Sequence, residues 1–159
     1  MPLRNMLLSR SFRLVGSLSV LAGIFSAQPY RPMVFMGDSM SPTYHNHEIA
    51  LATTDTSHLQ VGDIVVLDSP VGTIVKRIAY LPGDKINRYK FLGKWHDLVG
   101  EYGLSTRTRK NLKLSSRTVP EGYMYVLGDN SEVSVDSRAF GMIPLSSVKF
   151  VLVTSKAKN

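Results

Sequence analysis

The chain contains no cysteine, which excludes disulfides and thiolate metal sites and leaves its redox compartment open. No acidic residue precedes Asp38. Beyond residue 48 there is no amphipathic helical stretch of ten or more residues, no internal repeat and no low-complexity segment, so a helical bundle and a solenoid are both excluded. There is no phosphate-cradling glycine loop. His45 and His47 lie two apart in a polar loop with no third ligand near them, and His58 and His96 are isolated. Metal binding therefore has no candidate set, and neither a metal nor a cofactor is expected.

What remains is a basic chain of 159 residues, 43% hydrophobic, with a net charge of +7. That is one compact domain, with or without an appendage, and enough apolar material for a core. Part of the charge lies in the acid-free N-terminus and part in a stretch from Lys85 to Arg117. A basic surface can meet nucleic acid or an anionic membrane, and charge alone does not choose.

Arg4, Arg10 and Arg13 precede an uncharged run from Leu14 to Tyr30, and Arg31 follows it. At 17 residues the run sits at the lower limit for a membrane-spanning helix, about 17. Gly16, Ser17, Ser19, Ala22 and Gly23 dilute it but are tolerated inside membrane helices. A cleaved secretory signal, an Arg- and Ser-rich mitochondrial presequence and a retained signal-anchor all fit. The expectation adopted is a basic tail over 1–13, an anchor helix over 14–30 and a β-rich domain over 31–159. The arginines before the helix would keep the N-terminus inside and the body on the outer side of the bilayer.

Ile49–Ala52, Ile64–Leu67, Thr73–Tyr80, Tyr123–Leu127 and Val148–Val153 are short, apolar and rich in β-branched or aromatic residues. Gly, Pro, Asp and Asn bound them, which predicts a mainly β fold, an antiparallel sheet or barrel-like domain. Residues 85–120 depart from this pattern. They are basic, hold the only tryptophan, Trp95, and alternate weakly. They predict an insertion on the β core, a hairpin with a mobile tip, whose charges form a solvated face or meet acidic lipid head groups. A nucleic-acid partner is not expected, because Arg107 to Lys113 has no interleaved aromatics for base stacking.

One strand carries a chemical signal. In Thr73-Ile74-Val75-Lys76-Arg77-Ile78-Ala79-Tyr80 alternation puts Lys76 on one face between Ile74 and Ile78. Poor solvation disfavours the ammonium form, and a neutral lysine is a general base. The ordinary alternative is a lysine that snorkels to water. A plausible nucleophile exists in Gly37-Asp38-Ser39-Met40-Ser41-Pro42-Thr43, although serine in such a loop is usually a turn residue.

The order of blocks decides between these readings. Ser39 to Thr43 reads Ser-Met-x-Pro-Thr, Gly62-Asp63 opens a strand, and Lys76-Arg77 runs into Leu81-Pro82-Gly83-Asp84. Gly128-Asp129-Asn130 then leads to Ser134-Val135-Asp136-Ser137-Arg138-Ala139-Phe140-Gly141. Over roughly residues 33–150 this set resembles signal peptidase I, the membrane-bound serine/lysine peptidases that remove leader peptides from exported proteins. Any one block is weak; four in order are specific.

The resemblance implies roles. Ser39 matches the nucleophile, Lys76 the general base, and Ser134 the serine that hydrogen-bonds and orients that lysine. Asp136 and Arg138 match a bracing ion pair, and Arg77 with Asp129 looks like a second. The Ser39 N–H is one oxyanion donor. Some members supply another from a serine two residues before the nucleophile; Gly37 stands there, so a backbone N–H near Gly37 is the expected substitute. Phe35, Met36, Met40, Ile74 and Val75 match the walls of shallow pockets for small leader side chains, and are otherwise ordinary core. No histidine falls in a matching block. The implied partners are preprotein leader peptides and the lipid bilayer, at the cell membrane. The alternatives are a mitochondrial inner-membrane peptidase subunit with a possible partner subunit, a specialised peptidase for conjugation or pilus precursors, or a catalytically silent scaffold.

Overall fold

The structure is a computed structural model and describes residues 28–98 and 113–153. Its chain order is β1 (Tyr30–Val34), β2 (Ile49–Thr53), β3 (Ile64–Ser69), β4 (Gly72–Tyr80), β5 (Lys85–Phe91), β6 (Lys94–Leu98), β7 (Lys113–Thr118) and β8 (Tyr123–Leu127). A short helix α1 (Ser137–Phe140), β9 (Ile143–Pro144), a 3-10 turn (Leu145–Ser147) and β10 (Val148–Leu152) follow. All five strands expected from sequence are present. Strands β1 and β9 were not anticipated, since each is short and interrupted by proline, a residue suited to sheet edges.

Seven strands form one antiparallel ladder in the order β1-β2-β10-β3-β4-β8-β9. Of the two forms expected, this is the sheet, with β1 and β9 at its edges. Strand β3 is a continuous apolar run because both its faces are covered. Ile64 and Val66 join one buried cluster with Phe35, Met40, Tyr44 and Ala50. Val65 and Leu67 join another with Ile78, Met124, Val126 and Ile143. Strand β2 lies nearer the edge and keeps only Ala50 and Ala52 inside.

The basic insertion corrects a detail. In place of a lone hairpin, residues 85–118 contribute three strands to a second sheet, ordered β6-β5-β7. The strand β7 was hidden because Lys113-Leu114-Ser115-Ser116-Arg117 has little hydrophobic alternation. Fully buried Ile86 and Val119 pack with Tyr125 of β8. Each such side chain contributes about 1.5–3 kcal/mol, so the insertion is docked on the main sheet.

The tail over 1–13 and nearly all of the anchor over 14–30 lie outside the described residues. The end of that span is described, and Tyr30 already belongs to β1. Among the described residues no helix is long and apolar enough to cross a membrane.

Candidate active site

Lys76 sits mid-strand on β4, opposite Val65 of β3. Ile78 on the same face is fully buried and Ile74 packs against the same cluster. Lys76 is only 3% exposed. Its amine does not snorkel. Nζ lies 2.7 Å from Ser39 Oγ and 2.9 Å from the Val75 carbonyl oxygen. Two residues 37 apart in sequence are thus in direct hydrogen-bond contact.

The Ser39 loop is held from several sides. Gly37 adopts φ +88°, a left-handed conformation that disfavours residues with a Cβ. Its N–H donates to Asn46 Oδ1 at 2.9 Å. The Ser41 N–H donates to the Asp38 carbonyl at 3.1 Å, and the Asn130 N–H donates to the Ser39 carbonyl at 3.0 Å. The last bond ties the loop to the segment after β8.

Of the backbone N–H groups around Gly37, that of Gly37 itself is engaged by Asn46 Oδ1. The Ser39 N–H has no acceptor among the described residues.

Burial is the main influence on the Lys76 amine and lowers its pKa below the ordinary lysine value. The charges of Asp136 and Asp129 work against this, and Arg138 works with it. Each carboxylate is already engaged. Arg138 chelates Asp136 through Nε at 2.8 Å and a terminal nitrogen at 2.6 Å. Arg77 chelates Asp129 at 2.9 and 2.7 Å and donates to the Gly62 carbonyl at 2.7 Å. Arginine's fork suits such paired contacts. Each carboxylate is largely compensated by its arginine, so desolvation prevails at Lys76. Burial alone would raise the Asp136 pKa. Hydrogen bonds from Arg138 and the Gly128 N–H, helped by the nearby Ser134 hydroxyl, outweigh it and hold the pKa below the ordinary carboxylate value.

Ser134 departs from expectation. Its Oγ is buried and has no hydrogen-bond partner in good geometry, although it lies close enough to Asp136 to favour that charge. The expected bond to Lys76 is absent in this arrangement, where Nζ is directed at Ser39 and Val75. The neighbouring Gly128 explains the crowding. A Cβ placed on Gly128 would lie 2.1 Å from Ser134 Oγ and 2.6 Å from the Ser39 carbonyl. Gly128 is therefore the point where the nucleophile loop, the Ser134 loop and β8 meet. Gly128 stood inside a matched block without a role; Asn46 had no signal at all.

The five proposed wall residues separate. Phe35, 4% exposed, stacks on Tyr44 with ring centroids 4.3 Å apart, and Met40 is 1% exposed. Both are closed into the core. Met36 is 76% exposed and stands outside the core. Alternation sends Phe35 inward and Met36 outward, which the sequence match alone did not separate. Ile74 and Val75 are half-buried on opposite faces of β4.

The sequence profile of the family described as signal peptidase, peptidase S26, matches residues 8–153. The chain is similar to signal peptidase IB of Staphylococcus aureus (strain COL), 34% identical over 145 residues, covering 77% of this chain and 74% of that protein. It is also similar to the mitochondrial inner membrane protease subunit 1 of Homo sapiens, 34% identical over 152 residues, covering 89% of this chain and 80% of that protein. A solved signal peptidase I from Enterococcus faecalis V583 shares 28% identity at a TM-score of 0.41, covering 61% of this chain and 98% of that one.

Proposed function

The chain belongs to the signal peptidase family, peptidase S26, and we propose that its serine endopeptidase activity, the removal of N-terminal signal peptides, runs through a Ser39–Lys76 dyad. The observation that carries the proposal is the 2.7 Å contact between Lys76 Nζ and Ser39 Oγ, made by an amine 3% exposed.

A serine hydroxyl is inert near neutral pH until a base accepts its proton, and a neutral lysine is a recognised alternative to histidine. In the neutral state the Nζ lone pair accepts the Ser39 hydroxyl proton as Oγ attacks the scissile carbonyl. The oxyanion that forms draws the free Ser39 N–H. The resulting ammonium then protonates the departing amine, the peptide C–N bond breaks, and an acyl-serine ester remains. Water, deprotonated by the same amine, hydrolyses the ester and restores the serine.

The donor count favours a place for Ser134. A neutral amine has one lone pair and two N–H groups. Nζ donates to Ser39 Oγ at 2.7 Å and to the Val75 carbonyl at 2.9 Å; once neutral, it turns its lone pair to the Ser39 hydroxyl and keeps one N–H on Val75. The second N–H needs an acceptor, and Ser134 Oγ is a buried hydroxyl without one. We assign Ser134 to orient the working amine, with Asp136–Arg138 and Arg77–Asp129 bracing the loops. The half-exposed Ile74 and Val75 are the wall residues retained for contact with small leader side chains.

The protein is membrane-associated. We place it as a single-pass protein of the cell membrane with its catalytic domain on the outer face. A mitochondrial inner-membrane setting with a partner subunit is the second reading. It is favoured by the human match covering 89% of the chain against 77% for the staphylococcal one. Incubating the detergent-solubilised full chain with a panel of leader-bearing precursors and mapping cuts by mass spectrometry tests both. Small residues one and three positions before the cut are expected for the first setting, and a different rule points to the second. Ser39→Ala and Lys76→Arg are each expected to be inactive while folded, since arginine does not surrender its proton. Robust turnover by either variant overturns the dyad.

A further inference from the structure

The insertion sheet has two dissimilar faces. The inner one carries Ile86, Arg88, Asp97 and Arg117. Ile86 packs on Tyr125. Asp97 accepts from the Tyr125 hydroxyl at 2.9 Å and pairs with Arg117 and Arg88. The outer face is unlike it. Strand register places Tyr89 between His96 of β6 and Leu114 of β7. Tyr89 stacks on His96 at 5.3 Å and Phe91 meets the same ring edge-on at 6.5 Å. Phe91 and Leu114 are each 52% exposed.

This apolar face ends at a tip. Strands β5 and β6 are joined by Leu92-Gly93, with φ of +46° and +80°. A two-residue turn with both residues left-handed favours Asn-Gly or Asp-Gly, where a short polar side chain tolerates the conformation. Here the first position is leucine, and it is 86% exposed. The residue is poorly suited both to the turn and to water.

The charge around the tip has one sign. Lys90 and Lys113 are cross-strand neighbours, and Lys94 is paired in register with Phe91. Lys90 and Lys113 are exposed and in no ion pair among the described residues. Between Lys85 and Arg117 the sequence has nine Lys and Arg against two acidic residues, Asp97 and Glu101. Asp97 is engaged with arginines on the inner face.

From these observations we infer that the β5–β6 tip is a lipid-contact site. Phe91 and Leu92 enter the headgroup–acyl boundary of an anionic leaflet, while Lys90 and Lys113 meet its phosphates. An exposed aliphatic-aromatic wedge ringed by flexible ammonium groups fits that boundary, where stems lie in the apolar layer and charges reach the headgroups. In a membrane-associated protein such a contact would give the β body a second point of attachment and fix its tilt over the bilayer. The inference uses none of the dyad's residues and stands or falls independently of it.

The only tryptophan, Trp95, pairs in register with Lys90 and so reports on the tip without labelling. The full chain is reconstituted in vesicles of phosphatidylcholine alone, or mixed with phosphatidylglycerol, with bromine on the acyl chains. The expected result is quenching of Trp95 in the anionic vesicles, much less in the neutral ones, and loss of the effect at high salt. Leu92→Asn, which suits the turn better than leucine, should fold at least as well yet lose most of the quenching. Lys90→Glu combined with Lys113→Glu should abolish it. All variants should cut a leader peptide in detergent like the parent. Unquenched Trp95 in anionic vesicles overturns the inference, as does quenching unchanged by Leu92→Asn and by the double lysine variant.

Discussion

Two lysines on consecutive strands of different sheets have opposite fates. Lys76 of β4 is 3% exposed and touches a serine hydroxyl and a carbonyl. Lys90 of β5 is exposed. The residue type is the same; the surroundings differ. Strand β4 lies inside a seven-stranded ladder between β3 and β8, so its lysine is flanked by apolar side chains and meets the Ser39 loop. Strand β5 is the middle of a three-stranded sheet that docks through Ile86, and Lys90 lies four positions further along, toward the Leu92-Gly93 turn. The carboxylates sharpen the contrast. Asp136 and Asp129 are each chelated by one arginine and leave Lys76 without an anion of its own. Asp97 instead gathers two arginines and a tyrosine hydroxyl at the junction of the sheets. One charge cluster tunes an amine, and the other joins two bodies.

The comparison breaks most visibly at Lys76. Lys76→Met should lower kcat/KM by at least about 10^4-fold, as removal of a nucleophile's base does elsewhere. The same change should raise thermal stability at neutral pH, because it removes a group whose charged form is penalised in the fold. The sign follows from linkage. The folded pKa is depressed below the unfolded value of 10.5, so between those two the unfolded chain binds more protons and stability rises with pH. The advantage of Lys76→Met should therefore shrink as pH climbs toward 10.5. A variant equally stable to the parent at every pH would deny that burial penalises this ammonium.

Gly128→Ala comes next in size. A Cβ there meets Ser134 Oγ and the Ser39 carbonyl well inside contact distance. Displacing those loops by a fraction of an ångström to an ångström should cost about 10^2-fold in kcat. Overpacking should remove about 1–3 kcal/mol of stability in a denaturant melt. Wild-type kcat would show that the loops relax independently of the dyad.

The pH–rate profile should be milder. Activity on a leader peptide should rise with pH as the buried amine loses its proton, and the midpoint should lie below the ordinary lysine range. A profile flat from pH 6 to 9 would count against a titrating base.

Asp97→Asn should give the smallest effect on chemistry. It leaves Arg117 without its anion at a junction where the Asp97 side chain is 11% exposed and Arg117 is 30% exposed. Partial exposure tempers the cost to about 1–3 kcal/mol in a melt, with kcat nearly unchanged. A large fall in kcat would show that the insertion and the dyad are coupled through β8.

Much of this was legible along the chain. Alternation on β4 already put Lys76 between two isoleucines, since side-chain direction in a strand follows from counting by two. The Asp136–Arg138 pair is local, two residues apart, and each turn residue bounding the five strands acts through its own backbone. Contacts across sequence were decided elsewhere. Whether Lys76 bent to water or to Ser39 depended on a loop 37 residues away. The Gly37 N–H found its acceptor in Asn46, nine residues on. Gly128 became the meeting point of three segments only because they converge on it. Periodicity and local backbone preference are properties of neighbours in the chain. Desolvation, hydrogen-bond satisfaction and steric exclusion belong to neighbours in space, and only the folded arrangement supplies those.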